Sequence, residues 1–394
     1  MNFSISYSQK ITSVDEAVKI AIENNPEIKT AQFNIGREEG IKQKAFNITK
    51  PQVFIEYEGV KGSISNFENR KIGVSQEFEF PLSYFLRADV QSSQVEIAKQ
   101  EVRRVTNDIA SKVKIAYLNL LLNNQLLEIA TENLKIYNDF LFIAEQKYNA
   151  GATSNLEVLR ARINKIKIEN DISNLKSQIV NSQSELKRLL NMNYEIIPSG
   201  DLSFKELVLT KQELLNLAVQ NNPEIIISSL QKEKFSNKMS LSKAELLPDL
   251  SVKYYNQKIG NDGGYWGIEL GVDVPLWFWG EQSGNIKEAD YEFQMASSQE
   301  ITVRASIETI LNQSFQDYQN NLRQLKFFNE DVFKETDEIF RQAKISYEEG
   351  SIDYTEYLQA LGIVYDTRVQ YMNAVYNYNK SIINLEKIIA GDIK

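Results

Sequence analysis

Two side chains that dominate enzyme and metal chemistry are missing from this chain of 394 residues, which contains neither cysteine nor histidine. The lack of cysteine excludes disulfides, thiolate chemistry and a lipid-bearing N-terminal cysteine in this sequence. The lack of histidine excludes hydrolysis by a Ser–His pair and a histidine-rich metal site. Carboxylates are plentiful but form no recognisable pocket motif. We therefore predict a protein that is not an enzyme, with no cofactor and no resident metal.

Long apolar runs and basic clusters are also missing. No stretch approaches the ~18 consecutive apolar residues of a transmembrane helix, and the first ten residues lack the basic and apolar regions of a secretory signal. The formal net charge of -9 disfavours a nucleic-acid partner, because phosphate binding requires basic surface. Two classes remain: a soluble protein, or a membrane protein that spans by strands, whose alternating pattern hydropathy windows do not detect.

Helix-breaking residues are sparse, with 17 glycines and 7 prolines, so long uninterrupted elements are predicted. One helix is predicted over residues 83–148, which at 1.5 Å per residue is about 100 Å long. Its apolar residues alternate in steps of four and three, as in a coiled-coil seam, with only Asn123 interrupting. They are Ile109, Val113, Ala116, Leu120, Leu127, Ala130, Leu134, Tyr137, Leu141, Ala144 and Tyr148. A second long helix, with a looser ladder, is predicted over residues 284–347.

The sequence is internally duplicated. Residues 13–28 recur as residues 210–225, and both copies begin with a Ser/Thr-x-x-Glu capping box and contain Asn-Asn-Pro-Glu-Ile. The proline opens a second helix directly after a short first one. We predict two structural repeats, 1–200 and 201–394, each in the order helix, helix, strand, strand, long helix, helix.

Four segments alternate apolar and polar residues with the period of a strand. Residues 266–274 are the clearest, with Trp266, Ile268, Leu270, Val272 and Val274 on one face. An ordinary sheet packed on helices would also alternate. In a membrane, however, four strands cannot close a barrel and open edges cannot persist, so symmetric assembly of two, three or four copies would be required. The polar face would then line an acidic lumen, with the predicted residues Glu56, Glu77, Glu79, Glu269 and Asp273.

Aromatic residues follow two of these strands. Trp277-Phe278-Trp279 comes after Pro275-Leu276, and Tyr84-Phe85 comes shortly after Pro81-Leu82. Aromatic residues concentrate at both lipid–water boundaries of membrane proteins. Their position favours the membrane interpretation, with membrane lipid as a partner.

In combination these motifs resemble the outer-membrane efflux protein family, the TolC-like export ducts. The resemblance covers essentially the whole chain. It rests on Ala21 to Ile28 and Ala218 to Ile225 (Ala-x-x-x-Asn-Pro-x-Ile), Leu247-Pro248-Asp249-Leu250, Phe80-Pro81-Leu82, Val274-Pro275-Leu276, and the turns Tyr148 to Leu159 and Tyr347 to Leu358.

The resemblance implies a mainly α fold with a membrane β-barrel. Four strands per protomer would form a twelve-stranded barrel in a homotrimer, and a long coiled-coil α-helical barrel would extend into the periplasm of a Gram-negative bacterium. It also implies outer-membrane lipid, a periplasmic adaptor protein and an inner-membrane pump as partners, and a conduit that moves substrate without chemistry.

For the periplasmic tip, the resemblance implies roles for ten residues. Adaptor docking would fall on two Gly-centred turns, where a glycine is first a helix C-cap: Gly151, Ala152, Ser154, Gly350, Ser351 and Asp353. The gate would comprise Glu356, Gln359, Tyr347 and Glu157, with three Glu356 carboxylates ringing the pore.

Each gate residue also has an ordinary interpretation. Glu356 could be a solvated helix-surface side chain, and Tyr347 continues a coiled-coil register and could be core. Where the family has an arginine that helps to lock the gate, this sequence has Ile352. We therefore expect a weaker or differently built closure.

Three functions remain open on the sequence. The duct could export small molecules or metal ions in a tripartite pump, or serve as the exit channel of type I protein secretion. A structural coiled-coil protein without transport is the third. Substrate choice in such systems lies largely in the pump, so the first two are not separated here.

Overall fold

The structure is a computed structural model that describes residues 10–204, 210–328 and 330–393. It is mostly helical with a few strands, and the predicted fold class is confirmed. None of the described helices is long and apolar enough to cross a membrane.

The first half contains two short helices, a hairpin, a very long helix and a return helix. Its elements are β1 (Lys10–Thr12), α1 (Val14–Asn24), α2 (Pro26–Gln43), a 3-10 turn (Lys44–Phe46), β2 (Gln52–Glu58), β3 (Asn69–Phe78), α3 (Pro81–Asn149) and α4 (Asn155–Leu190). The predicted limits of α3 are within two residues of those observed.

The second half repeats this order except in its long helix. Its elements are β4 (Ile196–Pro198), α5 (Lys211–Asn221), α6 (Pro223–Ala244), β5 (Asp249–Ile259), β6 (Asp262–Asp273), α7 (Glu281–Phe327), α8 (Glu330–Glu348) and α9 (Tyr354–Ile389). The prediction of one continuous helix over 284–347 is wrong, because α7 ends at Phe327 and α8 begins at Glu330. The strands β5 and β6 are joined by a two-residue turn, Gly260-Asn261.

Contacts divide the chain into two compact units that each draw on both halves. One comprises Met1–Lys29, Arg104–Asn222 and Ile307–Lys394; the other comprises Thr30–Arg103 and Pro223–Ser306. We call them the first and the second unit. The division into repeats 1–200 and 201–394 stays a prediction.

The core of the first unit joins α1, α3 and α4. Ile109, Val113 and Leu120 of the predicted ladder are fully buried there against Leu186 and Leu189. Asn123, which interrupts the ladder, is also buried, and its Nδ2 donates to Ser182 Oγ at 3.1 Å. The buried Asn123 amide thus has a hydrogen-bond partner on α4, as buried polar groups normally do.

The duplicated Asn-Pro motifs have the same role in both halves. The buried Asn25 side chain donates to the carbonyl of Leu189 at 2.9 Å, and Asn222 donates to the carbonyl of Ile388 at 2.8 Å. The last carbonyls of a helix have no partner within it. Each asparagine therefore caps the C-terminus of a helix more than 160 residues away, α4 in one half and α9 in the other.

We expect Asn25→Ala and Asn222→Ala each to lower the free energy of unfolding by about 1–3 kcal/mol, because each leaves a buried carbonyl without a donor. Thermal unfolding of the purified protein in detergent measures this. Asn170→Ala, at an exposed position of α4, is the matched control. Equal stability of all three variants would refute the capping role.

The second unit contains the four-stranded sheet. All neighbours are antiparallel, in the order β2-β3-β5-β6, with a register shift between Gln257 and Ile259. The helical part of this unit is tied by charges, since Lys238 pairs with Glu292 at 2.6 Å and Lys232 with Glu300 at 3.1 Å.

Candidate functional site

One face of the sheet is apolar and open to solvent. The register aligns Val53, Val74, Tyr254 and Ile268 across the four strands. The side chains are far more exposed than those of a core sheet, with Val53 and Leu270 each 77% accessible. A contiguous exposed apolar surface marks a membrane or protein contact. This face is not packed on helices of its own unit.

The opposite face is polar and acidic. Four of the five predicted lumen residues lie on it by register: Glu56, Glu77, Glu269 and Asp273. The fifth, Glu79, follows the end of β3 and forms an ion pair with Arg87 of α3. In all, six carboxylates face two lysines on this surface: Glu56, Glu58, Glu77, Asp249, Glu269 and Asp273 against Lys71 and Lys253.

The lysines neutralise only part of this charge. Lys71 Nζ lies 2.9 Å from Glu58 and 3.3 Å from Glu56, and Lys253 lies 2.9 Å from Glu269. Asp249 and Asp273 lie directly opposite each other in the register of β5 and β6. The net charge of the face is therefore negative.

Two aromatic rings on the polar face were not assigned a role from the sequence. Phe54 and Tyr255 both lie against Gly73, and the Tyr255 ring also covers Gly267. The Lys71 ammonium lies 5.8 Å from the Tyr255 ring centroid. The glycines, which fall on the polar side of the alternation, were the available signal, because an interior strand glycine often marks close approach of another group.

The Trp277-Phe278-Trp279 segment follows β6. All three side chains are exposed, Trp277 at 72%, and their rings contact one another, with centroids of Trp277 and Trp279 5.3 Å apart. Such an exposed aromatic cluster at a strand end suits a lipid–water boundary.

The predicted tip residues lie in the first unit. Gly151 and Gly350 adopt left-handed φ angles of 70° and 74°, as helix C-caps do. All six predicted docking residues are exposed: Gly151, Ala152, Ser154, Gly350, Ser351 and Asp353. Asp353 also caps α9, accepting from the backbone N–H of Thr355 at 2.7 Å and of Glu356 at 3.0 Å.

The four predicted gate residues divide into two pairs. Glu356 and Gln359 are exposed in the first two turns of α9. Tyr347 is buried, with 7% of its surface accessible, and within the described part of the chain its hydroxyl has no hydrogen-bond partner. Burial, assisted by the Glu157 carboxylate, raises the pKa of Tyr347. Tyr347 and Glu157 are thus close enough to interact electrostatically, but without a hydrogen bond between them.

A cluster of four aromatic side chains, which we call the aromatic clasp, surrounds Tyr347. It consists of Phe140 of α3, Tyr347 of α8, and Tyr354 and Tyr357 of α9. The Phe140 centroid lies 5.3, 4.7 and 5.4 Å from those of Tyr347, Tyr354 and Tyr357. Burial raises the pKa of Tyr354, and that of Tyr357 to about 12. Sequence reasoning did not find this cluster, because it joins residues about 210 positions apart.

Beside the clasp lies a cavity of about 430 Å³ between α3 and α8. It is lined by the rings of Phe140, Tyr347 and Tyr357 and by charged side chains of both signs, Asp139, Lys147, Lys344 and Glu348. Lys147 Nζ lies 4.1 Å from the Tyr347 ring centroid, in cation–π distance. Among the described residues, no three acidic side chains lie close enough together to hold a metal ion.

Comparison with known proteins agrees with this architecture. The chain is 22% identical over 417 aligned positions to the probable outer membrane lipoprotein SilC of Salmonella typhimurium, covering 96% of this chain and 86% of that protein. It is 18% identical over 304 positions to the cobalt-zinc-cadmium resistance protein CzcC of Cupriavidus metallidurans, covering 75% and 70%. Crystal structures of CusC superpose with a TM-score of 0.80 at 17% identity, covering 96% of this chain and 92% of that one.

The fold is thus that of an outer-membrane channel protein. The sequence profile of the outer membrane efflux protein family matches residues 17–192 and 214–391, which is most of the chain. This chain belongs to the outer membrane efflux protein family.

Proposed function

We propose that three copies of this chain form the exit duct of a tripartite efflux pump, a passive conduit through the outer membrane that extends into the periplasm. A periplasmic adaptor and an inner-membrane pump would complete the assembly, and solute would pass without covalent chemistry. By name, CzcC is a cobalt-zinc-cadmium resistance protein and SilC is a probable outer membrane lipoprotein. On this basis we propose that the solutes of this duct include small cations.

The observation that carries the proposal is the two-faced sheet. Its apolar face is exposed on the single chain while its other face is polar and acidic. Four antiparallel strands leave β2 and β6 as open edges, which hydrocarbon does not tolerate. Pairing the β6 edge of one copy with the β2 edge of the next removes both edges, and three copies supply twelve strands around a polar lumen.

We assign the predicted tip residues to this duct. The exposed residues of the two Gly-centred turns are accessible to an adaptor. Glu356 and Gln359 are exposed near the start of α9, so three Glu356 carboxylates can form a negative constriction that favours cations. Tyr347 and Glu157 belong to the packing behind this constriction.

The first test is the native mass of the purified protein in detergent, from light scattering corrected for bound detergent. We expect a particle of three times 45.3 kDa that precipitates once detergent is removed. A monomer or dimer that stays soluble without detergent would contradict the duct and leave a structural coiled-coil protein.

The trimer can then be tested in planar bilayers. We expect conductance, and we expect Glu356→Gln to lower the preference for K⁺ over Cl⁻ several-fold, because it removes the ring of charge. Glu349→Gln, an exposed glutamate in the adjacent turn, is the matched control. An unchanged ion preference in Glu356→Gln would remove Glu356 from the constriction while leaving the trimer standing.

A further inference from the structure

The aromatic clasp is an apolar contact between two helical hairpins at the tip, α3–α4 and α8–α9. Phe140 is only 3% accessible and touches all three tyrosine rings. The Tyr347 and Tyr357 rings stack on each other at 5.1 Å with an interplanar angle of 16°. Ala144 of α3, Val158 and Ala161 of α4, and Leu361 of α9 complete the buried cluster.

The aromatic clasp connects α9, which carries the proposed gate residues, to the long helix α3. Tyr354 and Tyr357 belong to the first turns of α9, the same turns that carry Glu356 and Gln359. Phe140 belongs to α3, a helix of 69 residues. The constriction residues therefore cannot move away from α3 unless the Phe140 contacts with the two tyrosines are broken.

Polar links between the hairpins lie at exposed positions. Arg160 of α4 donates to Thr355 Oγ1 of α9 at 3.2 Å, and this hydrogen bond is open to solvent. The Tyr347 hydroxyl has no hydrogen-bond partner among the described residues. Ile352 stands where an arginine lock was expected by resemblance, and it packs against the apolar cluster. Arg368 reaches Glu132 at 3.6 Å and Asp337 at 3.7 Å, but all three side chains are substantially exposed. Ion pairs of this kind contribute little to stability and are screened by salt.

We propose that the aromatic clasp is the closure of the gate, with Phe140 as the positioning residue that holds α9 in the closed position through apolar ring contacts rather than a salt bridge or a hydrogen bond. This inference rests on the proposed duct function. Aromatic pairs in offset or tilted geometry are stabilised beyond the area they bury. A closure of this kind is insensitive to ionic strength and does not need the Tyr347 hydroxyl.

The test compares purified trimers in planar bilayers. We expect Phe140→Ala to raise the mean conductance about tenfold, because removing a large buried ring leaves a cavity and shifts the equilibrium toward the open position. Phe140→Leu, which keeps apolar volume but loses the ring contacts, should give an intermediate conductance and provides a second variant should the alanine variant misfold. Tyr347→Phe, which removes only the hydroxyl, should conduct like the wild type.

The matched control is Phe142→Ala, two residues further along α3, where the side chain is 63% accessible; we expect wild-type conductance. Raising KCl should change wild-type conductance only in proportion to the bulk conductivity of the solution.

Any of three results would overturn the clasp. They are wild-type conductance in folded Phe140→Leu, opening by Tyr347→Phe to the level of the Phe140 variants, and opening by salt to that level. The native mass of the same samples separates this failure from that of the duct, since a trimer whose Phe140 variants stay closed refutes only the clasp.

Discussion

Gly73→Ala is expected to abolish most of the folded, assembled protein. A Cβ at this position of β3 would collide with the backbone carbonyl oxygen of Tyr254, with Tyr255 Cβ at 2.7 Å and with Phe54 Cζ at 2.9 Å. A backbone atom in the neighbouring strand cannot be displaced without disturbing the pairing of β3 with β5. We expect a loss of at least about 1–3 kcal/mol per chain, as for overpacked sites, and heat-resistant oligomer on gels measures it.

Substitutions at two further glycines are expected to be less damaging than Gly73→Ala. At Gly267 a Cβ would meet only the far end of the Tyr255 ring, with Cζ at 2.5 Å, which can swing away, so Gly267→Ala should be milder. At Gly40, inside α2, nothing lies within 4 Å. Gly40→Ala should stabilise by up to about 1 kcal/mol, because alanine is the better helix former. Equal oligomer yield from Gly73→Ala and Gly40→Ala would show that the close approach at Gly73 does not constrain the sheet.

A double variant, Glu77→Gln with Asp273→Asn, is expected to lower the cation preference of the duct several-fold. Both carboxylates lie on the polar face of the sheet, and neither forms an ion pair with a described residue, unlike Glu269, which Lys253 neutralises. A cleft lined by one sign of charge raises the local counter-ion concentration by about tenfold or more. The reversal potential under a KCl gradient measures the change and should move toward zero.

Removing a positive charge from the polar face is expected to have the opposite effect on the cation preference. Lys253→Met removes a cation from the same face and frees Glu269, so the cation preference should rise. Glu23→Gln, at an exposed position of α1 outside the sheet, removes one negative charge away from the polar face and should leave the reversal potential where it was. A double variant that behaves like Glu23→Gln would place the polar face outside the ion path.

Local patterns predicted the elements that depend on local rules. The helix α3 follows from the absence of glycine and proline between residues 83 and 148. The faces of the sheet follow from alternation, since a strand assigns neighbouring side chains to opposite sides whatever it pairs with. The starts of α1 and α5 follow from the N-cap residues Ser13 and Thr210, whose hydroxyls accept from the backbone N–H of Glu16 and of Glu213. At Thr210 the Glu213 carboxylate completes the capping box. The gate and docking residues stay predictions from resemblance.

What the sequence alone determined is therefore the class and polarity of the main helices and of the four strands of the sheet, and the family to which the chain belongs. The short strands β1 and β4 were not predicted. Tertiary structure decided the rest: the interruption between α7 and α8, the capping of α4 by Asn25, the partial neutralisation of the acidic face by Lys71, and the meeting of Phe140 with Tyr354. The Asn25 cap and the Phe140–Tyr354 contact join elements that are distant along the chain. Lys71 is one side chain that contacts more than one carboxylate. Helix and strand periods repeat over a few residues, so they carry no information about contacts between distant elements. Those contacts depend on how complete helices and strands pack against one another.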